Sequence, residues 1–72
     1  MGIDIIELTP DGISLSKSTN HSGDRDAWSI VYFLGRMGNR STVDKVSMVC
    51  FGGDKIRTQT AIRKLRFSKL IY

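Results

Sequence analysis

The chain has 72 residues, of which 40% are hydrophobic and 25% charged, and its formal net charge is +4. This length predicts a single domain, 1–72, with too little core for an extensive buried catalytic cavity. No apolar run approaches the roughly 20 residues of a membrane span, and no secretory-signal pattern begins the sequence. The lone Cys50 excludes an internal disulfide, and we therefore expect a cytoplasmic protein.

Charge is distributed unevenly along the sequence. Residues 1–24 carry a net charge of −3, whereas residues 25–72 carry +7. A basic segment of this kind attracts nucleic acid or acidic lipid, although a charge run can also be an ordinary solvated surface. Net charge alone therefore does not identify the partner, and the position of the basic residues along the chain has to decide between these possibilities.

The N-terminal third predicts a strand, a short helix and a loop. The isoleucine-rich segment Gly2–Thr9 partly alternates and predicts a strand. Thr9 can cap a helix in which Pro10 takes the first position, running to about Lys17. The small polar residues Ser18–Gly23 predict a loop that separates this part, 1–23, from a helical core over 24–72.

The next predicted helix is apolar around much of its circumference. Asp24 caps it, and it runs to about Met37 before Gly38. One face carries Ala27, Ile30, Val31 and Leu34, and the flanks carry Trp28, Tyr32 and Phe33. Such a helix is covered on more than one side. We expect a central helix or a subunit interface, with Trp28, Tyr32 and Phe33 as candidates for a homodimer contact.

Two further helices are predicted around a glycine turn. The segment Ser41–Asp44 resembles a capping box and starts a helix over about Thr42–Cys50, although its β-branched tail could also be a strand. After Gly52 and Gly53, Asp54 caps a helix over about Lys55–Phe67, and a terminal strand follows at Leu70–Tyr72. The expected fold class is therefore mainly α with a small β-sheet.

The last predicted helix is strongly cationic. The run Lys55–Lys69 holds six basic residues and no acidic one. The helical spacing predicts a buried stripe of Thr58, Ala61, Ile62 and Leu65. We expect Arg57, Thr60, Arg63 and Lys64 to project into solvent as one ridge. A helix about 10–12 Å wide fits a DNA major groove about 12 Å across, so helix 55–67 is the candidate DNA-reading element.

Two segments resemble winged-helix proteins. TQTAIRKLRFSKLIY (58–72) resembles the recognition helix and following strand of winged-helix regulators, except that Lys69 stands where a helix-ending glycine is usual. Either Lys69 is left-handed or the helix ends differently. IIELTPDGISL (5–15) is similar to the last wing strand and following helix of MarR-like winged-helix proteins, in which Leu-Thr-x-x-Gly recurs. In this chain that segment precedes the three helices.

The resemblance implies a three-helix core whose terminal strands, Ile3–Leu8 and Leu70–Tyr72, pair antiparallel. Pairing within one chain makes a circularly permuted winged helix, whereas pairing between chains makes a strand-exchanged dimer. The implied function is a DNA-binding transcriptional regulator whose partner is double-stranded DNA. The candidate DNA-binding residues are Arg36, Arg40, Lys45, Lys55, Arg57, Thr60, Arg63 and Lys64.

Other chemistries have little support in the sequence. A zinc site needs about four ligands, and the chain offers Cys50 and His21 as its only cysteine and histidine. The glycine pair before Asp54 lacks the rest of a phosphate-loop pattern. We therefore expect no catalytic residues, no metal and no cofactor. The alternative is a winged-helix protein-interaction module that binds no DNA and uses its acidic, apolar N-terminal strand for strand addition.

Overall fold

A computed structural model describes residues 4–18 and 24–72, which form four helices and two short strands. In chain order these elements are β1 (Ile5–Glu7), α1 (Pro10–Ser16), α2 (Arg25–Arg36), β2 (Arg40–Thr42), α3 (Val43–Phe51) and α4 (Lys55–Phe67). The predicted fold class, mainly α with a small β-sheet, is confirmed. Most of the predicted loop, residues 19–23 with His21, lies outside the described residues, as do residues 2 and 3 of the predicted first strand.

Each helix begins at a side-chain cap that the sequence contains. Thr9, Asp24 and Asp54 accept hydrogen bonds from backbone N–H groups in the first turns of α1, α2 and α4, as predicted. The cap of α3 is Thr42, one residue later than the capping-box pattern predicted. The β-branched tail of α3 is helical, so the strand alternative for that segment is wrong.

The core lies where α2, α3 and α4 meet the strands. Its buried hydrophobic residues are Ile6, Leu8, Ile30, Val31, Leu34, Val46, Phe51, Ala61, Ile62, Leu65 and Ile71. The stripe predicted for α4 is buried as expected, with Thr58 fully buried among these apolar side chains and its hydroxyl donating to the carbonyl oxygen of Asp54 at 2.7 Å. Because α4 buries only this stripe, its opposite side faces solvent.

Strand β2 was not predicted. It pairs antiparallel with β1, and Ser41 lies opposite Ile6. Its three residues are polar and only partly covered, so they carry no apolar alternation that a sequence pattern could detect. The chain enters β2 through Gly38 and Asn39, whose φ angles of 74° and 73° turn it sharply after α2. Asparagine adopts this left-handed region more readily than most residues.

The two ends of the chain pair antiparallel, as predicted, but through one bridge. Leu8 pairs with Ile71, and the Tyr72 N–H donates to the Glu7 carbonyl oxygen at 3.0 Å. The predicted terminal strand Leu70–Tyr72 is thus limited to this short contact. Strand β1 consequently lies between β2 on one side and Ile71 on the other.

The Leu-Thr-x-x-Gly segment joins the start of α1 to the end of the chain. The Thr9 hydroxyl accepts from the Gly12 N–H at 3.2 Å and donates to the Lys69 carbonyl oxygen at 2.7 Å. A Cβ atom on Gly12 would collide with the Leu70 carbonyl oxygen. Lys69 has a φ of 60°, so the left-handed alternative for this position is confirmed.

Candidate nucleic-acid interface

The helix pair α3 and α4 is joined by a tight glycine turn. Gly52 and Gly53 have φ angles of 60° and 92°, a region that glycine adopts without a Cβ penalty. The Gly53 N–H donates to the Ser47 carbonyl oxygen at 2.9 Å and closes the end of α3. Asp54 then caps α4 by accepting from the Arg57 N–H at 3.0 Å. The turn therefore fixes where α4 starts and which side of it faces solvent.

Four residues lie on the side of α4 opposite its buried stripe, and we call them the outer ridge. They are Ile56, Thr60, Arg63 and Phe67, spaced by four, three and four residues along the helix. Ile56 is 83% exposed and Phe67 is 90% exposed. The Thr60 hydroxyl donates to the Ile56 carbonyl oxygen at 2.9 Å. Arg63 is exposed, and within residues 4–18 and 24–72 its side chain forms no ion pair or hydrogen bond.

The side of α4 that faces the start of α2 is different, because its cations are paired. We call Arg57 and Lys64 the paired flank. The Arg57 guanidinium donates two hydrogen bonds to the Asp26 carboxylate, at 2.8 and 2.7 Å. It also lies 5.3 Å from the centroid of the Phe51 ring. Arg57 therefore connects α4 with the start of α2 and the end of α3.

Lys64 forms the second pair of this flank. Its Nζ atom donates to the Asp24 carboxylate at 2.5 Å, and Asp24 also caps α2. The hydrogen bonds from Lys64 and Arg57 lower the pKa values of Asp24 and Asp26 below their ordinary value. The same hydrogen bonds raise the pKa values of Lys64 and Arg57. All four groups are therefore charged at neutral pH.

These pairs correct the ridge that the sequence predicted. Of the four expected residues, Thr60 and Arg63 lie on the outer ridge, whereas Arg57 and Lys64 lie in ion pairs on the paired flank. The sequence pattern assigned Asp24 only the role of a helix cap, and Asp26 is a second carboxylate in the first turn of the same helix. The pattern gave no sign that their carboxylates lie beside α4, because that proximity depends on how α2 and α4 pack.

The other predicted DNA-binding residues are spread over the molecule. Lys55 is exposed at the first position of α4, and Lys45 is exposed in the first turn of α3. Arg40 lies opposite Glu7 in the sheet. Arg36 lies in the last turn of α2, 5.2 Å from the Tyr32 ring centroid. Since Arg36 follows Asp24 by 12 residues, it lies roughly 18 Å along α2 from the paired flank.

The aromatic residues of α2 contact other side chains of the same chain. Trp28 stacks on Tyr32 with ring centroids 5.0 Å apart. Phe33 is partly buried against the core, and Tyr32 is 43% exposed. A homodimer contact through these three residues stays a prediction.

Cys50 lies on the partly covered side of α3. Its Sγ atom donates to the Ser29 carbonyl oxygen at 3.8 Å, and burial raises the pKa of the thiol. The side chain is thus a protonated packing group at neutral pH. Within the described part of the chain, no three histidine, cysteine or carboxylate side chains cluster as metal ligands.

Neither Ile56 nor Phe67 was among the predicted site residues. Both could have been found from the sequence, because the spacing that predicts the buried stripe also predicts the residues opposite it. The predicted site instead followed the basic residues and included Arg57 and Lys64.

Comparisons with known proteins return no family model, no curated protein and no solved structure that matches this chain. Among residues 4–18 and 24–72, no helix has the length and apolar character needed to cross a membrane. The geometry of α3, the glycine turn and α4 is therefore the basis from which a function can be inferred.

Proposed function

We propose that the protein binds double-stranded DNA with the outer ridge of α4 in the major groove, and that it acts as a transcriptional regulator. One observation carries the proposal: Arg63 is unpaired within the described residues and lies at the middle of the free side of a helix that contains no acidic residue. That helix follows α3 through a tight turn. An element of this kind, held by its partner helix and exposed along one side, suits insertion into a groove.

The chemistry of the ridge fits this role. Arginine can donate two hydrogen bonds to the O6 and N7 atoms of guanine, the commonest specific contact in the major groove. Lys55 lies at the N-terminal end of the same helix, and in this proposal its ammonium group contacts a phosphate. Ile56 and Phe67 are 11 residues apart, so the ridge is roughly 16 Å long and spans several base pairs.

The paired flank has a positioning role in this proposal. Arg57 and Lys64 hold α4 against the start of α2 through Asp26 and Asp24. The neighbouring carboxylates balance the charges of Arg57 and Lys64. These two residues therefore contribute less to phosphate binding than they would as free cations of the predicted ridge. The proposed DNA-binding set on α4 is accordingly Lys55, Thr60 and Arg63, joined by Ile56 and Phe67.

The sheet supports a circularly permuted winged helix as the architecture of this proposal. Strand β1 lies between β2 and Ile71, so the N-terminal strand occupies a position beside the end of the chain. In the winged-helix proteins that the sequence resembles, such a strand follows the recognition helix. We also propose that the protein is cytoplasmic, because a free cysteine such as Cys50 suits a reducing compartment. We further propose that it forms a homodimer.

The first experiment is a titration of labelled duplex DNA at two salt concentrations. We expect binding that weakens with salt, because phosphate contacts release counterions. For Arg63→Ala we expect an affinity lower by about 5- to 150-fold, since a lost bidentate guanine contact costs about 1–3 kcal/mol, with little change in the salt slope. The matched control is Lys17→Ala, which removes an exposed cation just after α1 and should bind like the wild-type protein. An Arg63→Ala variant with unchanged affinity contradicts the proposal.

The second candidate function is docking of a partner protein on the same ridge. It is favoured by the exposed apolar side chains at both ends of the ridge, Ile56 and Phe67, and by the neutralised charges of the paired flank. A protein that shows no salt-dependent binding to duplex DNA, but forms a stoichiometric complex lost in Phe67→Ser, supports this candidate over the first.

A further inference from the structure

The N-terminal half of the outer ridge offers apolar groups where a DNA-reading helix needs contacts to bases. Ile56 is 83% exposed in the first turn of α4 and points away from the buried stripe. One exposed apolar residue on a surface needs no explanation by itself. The position of Ile56 points to a function, because Ile56 shares the outer ridge with Arg63, the side chain proposed to enter the groove.

The residue next to Ile56 on the ridge cannot supply a free hydroxyl donor. The Thr60 hydroxyl already donates to the Ile56 carbonyl oxygen at 2.9 Å. Thr60 therefore has no hydrogen left to offer a base edge and can contribute acceptor or methyl contacts only. The first half of the ridge is thus built for apolar contact, and Arg63 is the group on the ridge with free N–H donors.

The major groove contains one apolar group that such a surface can recognise. Thymine carries a C5-methyl group there, and apolar side chains contact it. The other exposed groups of the groove are hydrogen-bond donors and acceptors, with which the isoleucine side chain cannot pair. Isoleucine is also a poorer helix former than leucine or alanine, so helix propensity does not account for its place on an exposed turn.

We propose that Ile56 is a specificity-determining residue that contacts a thymine methyl group in the major groove. The inference depends on the proposed DNA-binding function and adds to it the base that the start of α4 selects. Ile56 and Arg63 are seven residues apart, or roughly 10 Å along the helix, which exceeds the 3.4 Å spacing of stacked base pairs. The selected thymine and the guanine contacted by Arg63 therefore belong to different base pairs of one binding site.

The test removes one methyl group from the DNA. A preferred duplex is first selected from a randomised pool with the wild-type protein, and each thymine is then replaced in turn by deoxyuridine, which lacks only the C5-methyl group. We expect one position at which this replacement weakens wild-type binding by about fourfold, the effect of one buried methyl group. Ile56→Ala should bind the thymine and deoxyuridine duplexes equally.

The control is Ile56→Val, which keeps a branched apolar side chain and should retain the preference for thymine. Circular dichroism checks that Ile56→Ala is folded, as expected for an exposed position. Wild-type and Ile56→Ala proteins that respond identically to every deoxyuridine replacement overturn this inference and leave DNA binding intact. Absence of salt-dependent duplex binding by the wild-type protein overturns the proposed function and this inference together. Loss of duplex binding in Ile56→Val as well as in Ile56→Ala also overturns the assignment to a methyl contact.

Discussion

Two sides of α4 both carry basic residues, and these residues have different environments. On the paired flank, Arg57 and Lys64 are engaged by Asp26 and Asp24. On the outer ridge, Arg63 forms no such contact within the described residues, and its neighbours Ile56 and Phe67 are almost fully exposed. A cationic helix is therefore not a uniform binding surface. The carboxylates of a neighbouring helix decide which of its cations are free.

The buried and exposed isoleucines of α4 test which side of this helix faces solvent. Ile62 is 1% exposed in the core, whereas Ile56 is 83% exposed on the ridge. We expect Ile62→Ala to lower the free energy of unfolding by about 2–5 kcal/mol, because it removes core contacts and leaves a cavity. The same substitution at Ile56 should leave stability unchanged or slightly raised, since alanine is the better helix former. Urea unfolding measures both, and similar losses at the two sites contradict the assigned orientation of α4.

The ion pairs of the paired flank should make the stability of the folded protein depend on pH in the acid range. Hydrogen bonds from Lys64 and Arg57 lower the pKa values of Asp24 and Asp26 from an ordinary value of 3.8. Because the folded-state pKa is depressed, the stabilisation is fully present above pH 3.8 and is lost as the pH falls through the lower folded-state values. We expect a small effect, since these pairs are exposed.

The measurement is the midpoint of thermal unfolding at several pH values between 2 and 7. It compares the wild-type protein with the double variant Asp24→Asn, Asp26→Asn. Asparagine keeps the capping oxygen at the start of α2, so the variant tests the charges and not the cap. The two midpoints should converge as the pH falls below 3.8. A constant difference across the whole range would mean that the carboxylate charges do not contribute.

Much of the helical framework could be predicted because its signals are local. The caps Thr9, Asp24 and Asp54 each act on the turn that follows them, and the buried stripe of α4 follows from helical spacing. The left-handed Lys69 could be foreseen as one of two alternatives, since a resemblance indicated a glycine at that position. These features need no knowledge of how the helices pack.

The features that were missed depend on contacts between distant segments. Strand β2 exists because β1 lies beside Arg40–Thr42, and its polar sequence gives no strand signal of its own. The pairs of Arg57 and Lys64 join residues 31 and 40 positions apart. The need for glycine at position 12 is likewise nonlocal, because the Leu70 carbonyl oxygen leaves no room there for a Cβ atom. Sequence periodicity identifies the buried side of a helix but not which charges lie next to it.

The most direct measurement of the central claim is the map of backbone amide chemical-shift changes when the protein is titrated with duplex DNA. If the outer ridge enters the groove, the largest changes fall on Ile56, Thr60, Arg63 and Phe67, with Lys55 at the end of the same surface. Lys17 and Tyr32 line a groove that contains no residue of α4, so the amides around them should change little. Changes confined to the sheet or to α2, or no change at all, would contradict the account.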